Sequence, residues 1–448
     1  MIRHVFSENL SKKYFKDEKL DQKHYFWRGG ARYLISIAAL KGYKLFHRDV
    51  QTAFLNGKLT EEIYIEIPEA YADIKVDRAT HVFKLKKSLY GLKQASRVWN
   101  ETFTAAILEI GFCQSEADPC IFIKYEKEEP VEWIGVFVDD CWIVADDEAA
   151  DRIGAMMGEK FKMHDLGELK FSLGMKIEQT NEFIKISQTS YIDKLVEKFN
   201  MQDCRDIDTP LPKKPQADET NNTPFENVNL YQQLIGGLIY VSNATRPDIA
   251  YSVGYLARSM QKPTQADWIN GKRVIRYLKA TRMLGLKYFK DSSKTAVGYS
   301  DASYAEEKDA KSVGGYVFTQ AGAAITWRSS KKELIAQSSM ESEYYALAET
   351  SKEALWIRKL QKESLPHANH QILIYEDNQS TIKLAQNPIH TNRSKHIHVR
   401  AHATRDYIKK NLIRLEYLST KLMIADIMTK SLERIDHAKF VKMLGLAE

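Results

Sequence analysis

The chain has 448 residues, 44% of them hydrophobic and 28% charged, with 65 Lys+Arg against 59 Asp+Glu and a net charge of +6. That length can bury a sizeable core over about three domains, which excludes a disulfide-stapled miniprotein. No stretch approaches the ~20 apolar residues of a membrane helix, and the first residues lack the apolar core of a secretion signal, so neither membrane residence nor secretion is expected. Cys113, Cys120, Cys141 and Cys204 show no CxxC spacing and read as free thiols of a reducing compartment.

Residues 31–41 (ARYLISIAALK) predict a helix, ended by Gly42, and a strand follows over 44–50. Residues 61–67 (EEIYIEI) alternate with Ile63, Ile65 and Ile67 on one face, as a half-buried strand does. Residues 97–109 predict a helix. Residues 134–145 (IGVFVDDCWIVA) predict a hairpin with Asp139 and Asp140 at its tight turn. Residues 187–201 place Ile192, Leu195, Val196 and Phe199 on one helical stripe. Residues 206–229 hold four of the eleven prolines and almost nothing apolar, and read as a linker or long surface loop. Three helices are predicted beyond it, over 230–241, 247–260 and 265–280. Three strands follow from residue 295, then a long helix over 340–363. A strand over 372–376, a short helix, a basic segment, a strand over 412–418 and a terminal helix complete the pattern. That order predicts a mixed sheet flanked by helices. Between residues 379 and 414 stand eight Lys/Arg and one acid, Asp406, with His390, His396, His398 and His402 among them. Such a run is either a solvated face or a surface that neutralises phosphates.

Two sets of acids carry candidate chemistry. Aspartate is favoured in turns, so turn chemistry alone could explain Asp139 and Asp140. Yet both flanks of the turn are strongly apolar, and two carboxylates brought together in a core are costly unless a cation offsets them. Asp49, at the end of the strand KLFHRDV, supplies a third. Three such oxygen donors can hold two Mg²⁺ ions about 3.5–4 Å apart, the geometry of in-line phosphoryl transfer. The second set is Asp301, Glu343, Asp377 and Asp426. Each stands near the end of a predicted strand, in the first turn of a helix or in a turn, and together they suit a second two-metal site. Taken singly, each is equally a turn or helix-dipole acid.

The stretches DVQTAFLNGKLTEEIYIEIPEAY, VFKLKKSLYGLKQASRVWN, GVFVDDCWIVADD and ISQTSYIDKLVEKFNM resemble copia-type long-terminal-repeat retrotransposon Pol polyproteins, in their reverse transcriptase segment. YSDASYAEEKDAKSVGGYVF, SSMESEYYALAE, YEDNQSTIKLAQNP and KLMIADIMTKSL resemble the ribonuclease H segment of the same family. The resemblance implies an α/β (α+β) fold: a palm-type polymerase domain with thumb helices, then a ribonuclease H-like mixed sheet flanked by helices. It implies an atypical N-terminal segment over 1–30, a polymerase region over 31–205, the linker over 206–229, a helical connection over 230–294 and the nuclease over 295–448.

By the same resemblance Asp49, Asp139 and Asp140 are polymerase metal ligands, and Asp301, Glu343, Asp377 and Asp426 are nuclease ligands. Each site would take two Mg²⁺ or Mn²⁺ ions. Phe54 would be the gate beneath the incoming sugar, unless it is a plain core aromatic. Tyr90, Gly91 and Lys93 would line nucleotide and template. Arg393, Lys395, Arg400 and Arg405 would contact the phosphates of a hybrid. The implied partners are an RNA template, a DNA primer, an RNA–DNA hybrid, dNTPs and other parts of a Pol polyprotein. The implied setting is a cytoplasmic virus-like particle with access to the nucleus.

Residues 1–30 do not match the family's basic, strand-forming fingers run. Lys12, Lys13 and Arg28 do not replace it, and Cys141, Trp142 and the ASR after LYGLKQ also depart from the family's usual residues. His398 stands where the family commonly has Asp. Two other readings therefore stay open: a truncated or decayed copy that keeps the nuclease but not polymerisation, and a host-adopted nucleic-acid-binding protein without catalysis.

Overall fold

The structure, a computed structural model, describes residues 18–448 except 69–76, 78–79, 214, 216–221, 305–308, 334 and 387–397, and within helices it leaves the side chains of 18–28 and 398–402 undescribed. Lys12, Lys13, His390, Arg393, Lys395 and His396 thus lie outside the described residues. So do the side chains of Arg28, His398, Arg400 and His402. Among the described residues no helix is long and apolar enough to cross a membrane. The four cysteines are free thiols. The chain divides into two compact units, Lys44–Leu169 and the remainder.

Lys44–Leu169 contains β1 (Lys44–Val50), β2 (Tyr64–Ile65), β3 (Phe83–Lys84), β4 (Cys113–Gln114), β5 (Ile121–Glu126), β6 (Glu129–Phe137), β7 (Asp140–Ala145) and β8 (Met163–Glu168). Six of these make an antiparallel sheet in the order β4-β5-β6-β7-β1-β8. The helices Ala95–Glu109 and Asp147–Lys160 supply apolar stripes to its core. Trp99, Phe103 and Ile107 from the first and Ile153 and Met157 from the second join Phe122, Ile134 and Ile143 of the sheet. Asp146 caps the second helix by accepting from the Ala149 amide at 2.8 Å. This is the palm-type layer expected. The strand expected over 61–67 shrinks to β2, whose partner among the described residues is the two-residue β3. Its alternation survives: Ile63 and Ile65 are half-buried, Ile67 is buried, and Glu62, Tyr64 and Glu66 are exposed.

The other unit holds β9 (Phe171–Ser172), β10 (Met175–Gln179), β11 (Phe183–Ser187), β12 (Gly285–Phe289), β13 (Val297–Ser303), β14 (Val313–Gln320), β15 (Ala323–Lys331), β16 (Ile372–Glu376), β17 (Ile413–Tyr417) and β18 (Leu446–Ala447). One sheet runs β18-β12-β11-β10-β9. The second runs β15-β14-β13-β16-β17, antiparallel through β13 and parallel from there to β17. The long helix Ser339–Ser364 packs on β13 and β14, and Ser338 caps it through the Glu341 amide at 3.2 Å. The mixed sheet with flanking helices is the ribonuclease H-like architecture expected.

The helices Thr189–Lys198, Val228–Ala244, Ala250–Ala257 and Gln265–Ala280 share a separate core. The helix expected over 247–260 opens as a 3₁₀ turn, Pro247–Ile249. Arg246, just before it, is wholly buried and pairs with Asp248 at 2.6 Å. Removing either partner would strand a buried charge, at a cost of ~3–5 kcal/mol. The helix expected to start at residue 31 starts at Glu18. It carries Gly29 through a close approach, since a Cβ there would lie 2.9 Å from the Trp356 ring. The proline-rich stretch is not wholly a surface loop: Leu211 is buried against Tyr251 and Val313.

Candidate active sites

In the palm-type sheet, register brings the three acids together. β1 runs antiparallel to β7 with Asp49 directly opposite Asp140, and Phe137 pairs with Asp140 across the hairpin. The turn is therefore Val138-Asp139, with Asp140 opening the return strand rather than sharing the turn. Val138 takes the left-handed conformation (φ 59°), an uncommon one for a β-branched residue. Two bonds brace it. The Trp99 indole donates to the Val138 carbonyl at 2.6 Å, and the Val50 amide donates to the Asp139 carbonyl at 2.9 Å.

Asp49, Asp139 and Asp140 are all half-buried. His47 Nε2 stands 2.7 Å from Asp140 Oδ1. Cys141, fully buried behind the turn, reports the clustered charge: burial pushes its thiol up, and Asp140, Asp139 and Asp49 push it further.

Phe54 lies on the 3₁₀ turn Ala53–Asn56, five residues past Asp49, packed against the core and tilted 50° against Tyr90 with ring centroids 4.5 Å apart. Tyr90 is half exposed, Lys93 is exposed, and Gly91 sits at φ +105° with open space where a Cβ would stand. Phe54 and Tyr90 thus form one aromatic step.

In the mixed sheet the acids converge tightly. Carboxylate oxygens of Asp301, Asp377 and Asp426 all lie within 4.8 Å of one another, as do those of Glu343, Glu376 and Asp377. Asp377 belongs to both groups. Asp301 lies in β13 opposite Gly315 of β14. That glycine makes room for the turn bearing Asp426, since a Cβ there would collide with Met428 and come within 3.0 Å of Thr429. The Thr429 hydroxyl donates to Asp301, and the Thr420 hydroxyl to Asp377 at 2.7 Å. Lys430 Nζ reaches Asp426 Oδ1 at 2.9 Å.

Asp301, Glu343, Glu376 and Asp426 are buried, and Asp377 half-buried. Burial, reinforced by Asp301, Glu376 and Asp377, raises the Glu343 carboxyl to about 11. Burial and then Asp301 raise Asp426 to about 8, with Lys430 opposing. Burial lifts Glu376 well above the ordinary range and lifts Asp377 as well. The donors are all oxygens, as a hard dication requires. Glu343 Oε2 is buried with no hydrogen-bond partner among the described residues. Both features fit a bound divalent cation.

Asp301, Glu343, Asp377 and Asp426, expected from the sequence, thus converge, while Asp49, Asp139 and Asp140 are neighbours by strand register without oxygens that all meet within 4.8 Å. Glu376, Lys430, Thr429, His47 and Trp99 were missed. Glu376 had a signal: it falls on the buried face of Ile372–Glu376, whose exposure alternates. Arg405, expected on phosphate, is half-buried, and its Nε donates to the Leu384 carbonyl at 3.1 Å.

The family model described as reverse transcriptase (RNA-dependent DNA polymerase) matches residues 29–213. A transposon Ty5-1 protein of Saccharomyces cerevisiae is 34% identical over 306 residues, 67% of this chain and 98% of that protein. The chain belongs to the retrotransposon reverse transcriptase family. The retrovirus-related Pol polyprotein from transposon TNT 1-94 of Nicotiana tabacum is 36% identical over 93% of this chain. The chain spans only 32% of that relative's length. A solved foamy viral protease-reverse transcriptase, in complex with RNA/DNA hybrid, aligns over 86% of this chain and 45% of its own, with 13% identity and a TM-score of 0.45.

Proposed function

We propose that this retrotransposon-family chain is an RNA- and DNA-directed DNA polymerase with a C-terminal ribonuclease H that cleaves the RNA strand of RNA–DNA hybrids. Residues 31–205 would carry polymerisation and 295–448 cleavage, joined by the linker over 206–229 and the connection over 230–294. The observation that carries the reading is the convergence of Asp301, Asp377 and Asp426, and of Glu343 and Glu376 with the same Asp377, on oxygens within 4.8 Å of one another; strand register adds Asp49 opposite Asp140, next to Asp139. When bound, Mg²⁺ or Mn²⁺, two ions per site, would activate the attacking oxygen and stabilise the leaving one.

The chain's own residues do the rest. His47 and the Trp99-braced turn hold the polymerase acids in place, and the Phe54–Tyr90 step would lie beneath the sugar of the incoming dNTP. In the nuclease, Asp377 links the two acid groups, while Thr420 and Thr429 fix the carboxylates of Asp377 and Asp301. Arg393, Lys395 and Arg400 remain proposed phosphate contacts, and contacts of that kind are salt-sensitive and tolerant of sequence. The proposed setting is a cytoplasmic virus-like particle, with other parts of a Pol polyprotein as partners. The test is extension of a DNA primer on an RNA template, with hybrid cleavage measured in the same preparation with Mg²⁺ or Mn²⁺. Both activities are expected. Cleavage without extension would favour the reading that polymerisation has been lost, and binding with neither would favour the non-catalytic reading.

A further inference from the structure

Five carboxylates crowd the nuclease cluster, yet one cation already belongs to it. The 3₁₀ turn Ile424–Met428 carries Asp426, and the chain winds one residue further so that the Lys430 amide donates to the Asp426 carbonyl at 3.2 Å. That winding folds the Lys430 side chain back on its own turn, with Nζ 2.9 Å from Asp426 Oδ1. Asp426 is also one of the three acids whose oxygens gather within 4.8 Å, with Asp301 and Asp377. The Lys430 side chain is about one-third exposed, so the ammonium sits at the mouth of the cluster rather than sealed in it. Burial pulls that ammonium down, but Asp301 and Asp426 outweigh burial and leave it raised.

We propose that Lys430 is a tethered counter-cation that competes with a divalent ion for Asp426 and turns to the nucleic-acid phosphate when the ion takes that carboxylate. The inference rests on the nuclease reading above and adds a residue to it. A divalent ion on Asp426 repels an ammonium 2.9 Å from the same carboxylate, so metal binding drives the ammonium away from it. The side chain is long, flexible and partly solvated, so it can move. A phosphate oxygen is the group that would receive it, since lysine binds phosphate as a point charge. Lys430 therefore weakens metal capture in the free protein and favours the substrate once metal is in place. A lysine with a merely structural role would do neither.

The two halves of the inference predict opposite signs for one substitution. Mn²⁺ is titrated into the full chain carrying Asp139→Asn, so that the polymerase acids contribute little, and free Mn²⁺ is read by electron paramagnetic resonance. Lys430→Gln should bind Mn²⁺ ~10-fold more tightly than the parent, because a repelling unit charge beside the ion is gone. The same variant should cleave a labelled RNA–DNA hybrid ~10-fold or more slowly at saturating Mn²⁺. Lys430→Arg, which keeps the charge, should bind Mn²⁺ like the parent. If Lys430→Gln binds Mn²⁺ no more tightly, or cleaves at the parent rate, the inference fails while the nuclease reading stands. If the parent neither cleaves hybrid nor binds an ion that Asp301→Asn removes, the nuclease reading itself fails and takes the inference with it.

Discussion

The two acid clusters solve one electrostatic problem at different depths. In the palm-type sheet, Asp49, Asp139 and Asp140 are each half-buried at the mouth of a hairpin, and His47 shares the charge of Asp140. Water can solvate such a trio, so little folding energy is at stake when no ion is bound. In the mixed sheet, Glu376 is wholly buried and Asp301 is 3% exposed, with Glu343 and Asp426 nearly as deep. Burial raises the carboxyls of Glu343, Glu376 and Asp426, so these three are held as carboxylates by a nearby cation or are neutralised by protons. The palm-type trio is thus arranged mainly by backbone register, whereas the proposed nuclease cluster would also be coupled to a bound ion through stability.

The largest separation between the two should come from the glycine that admits the Asp426 turn. Gly315→Val inserts a side chain where Met428 and Thr429 now stand. Shifting the turn by about 1 Å should lower hybrid cleavage ~100-fold. Overpacking should cost ~1–3 kcal/mol in the melt of that unit. Primer extension should hold. Equal loss of both activities would mean that the mutation unfolds the chain rather than moves one turn.

A smaller effect is expected at the aromatic step of the other site. Phe54→Val opens space beside Tyr90 and should raise ribonucleotide incorporation relative to deoxyribonucleotide by ~10-fold, within the range that a few buried methylenes can discriminate. Unchanged discrimination in a soluble, extending variant would leave Phe54 as a core aromatic.

The third effect is thermodynamic. The metal-free fold binds protons at Asp426 (raised to about 8) and at Glu343 (raised to about 11) that the unfolded chain has released by about pH 5. Because these folded values are raised, their contribution to stability is fully present below about pH 4 and drains away as pH rises, through about 8 for Asp426 and about 11 for Glu343. The melting temperature of the metal-free protein should therefore fall between pH 6 and pH 8.5. Added Mg²⁺ should restore more at pH 8.5 than at pH 6, by on the order of 5 °C. Asp426→Asn should flatten the trend. An equal Mg²⁺ effect at both pH values would mean that these acids are not coupled to the ion.

Much of this was legible in the sequence, because strand periodicity and turn chemistry act locally. The helix expected over 265–280 and the strand over 372–376 match the structure at both ends. All seven acids were singled out by their places at strand ends, in turns or in a first helical turn, the resemblance proposed their roles, and the structure brings four of them together. What was missed depends on contacts across the chain. Glu376 reads as one more polar residue until β13 is laid beside β16. The role of Gly315 exists only because Met428, more than a hundred residues later, packs on it. Leu211 looked like linker until Tyr251 and Val313 buried it. The pairing of β12 with β18 was equally invisible, and it ties Leu286 to Leu446 at the chain's end. A nuclease fragment that omitted Gly285–Phe289 would therefore leave Leu446–Ala447 without this strand partner.

The two acid sites proposed for this one chain should fail independently. The most direct test measures primer extension and hybrid cleavage side by side for the wild type, Asp139→Asn and Asp377→Asn. A neutral amide is a poor ligand for a hard dication. Asp139→Asn should lose extension and keep cleavage, while Asp377→Asn should lose cleavage and keep extension, each with a cooperative melt and retained hybrid binding. Loss of both activities in either variant, or of neither, would contradict the account.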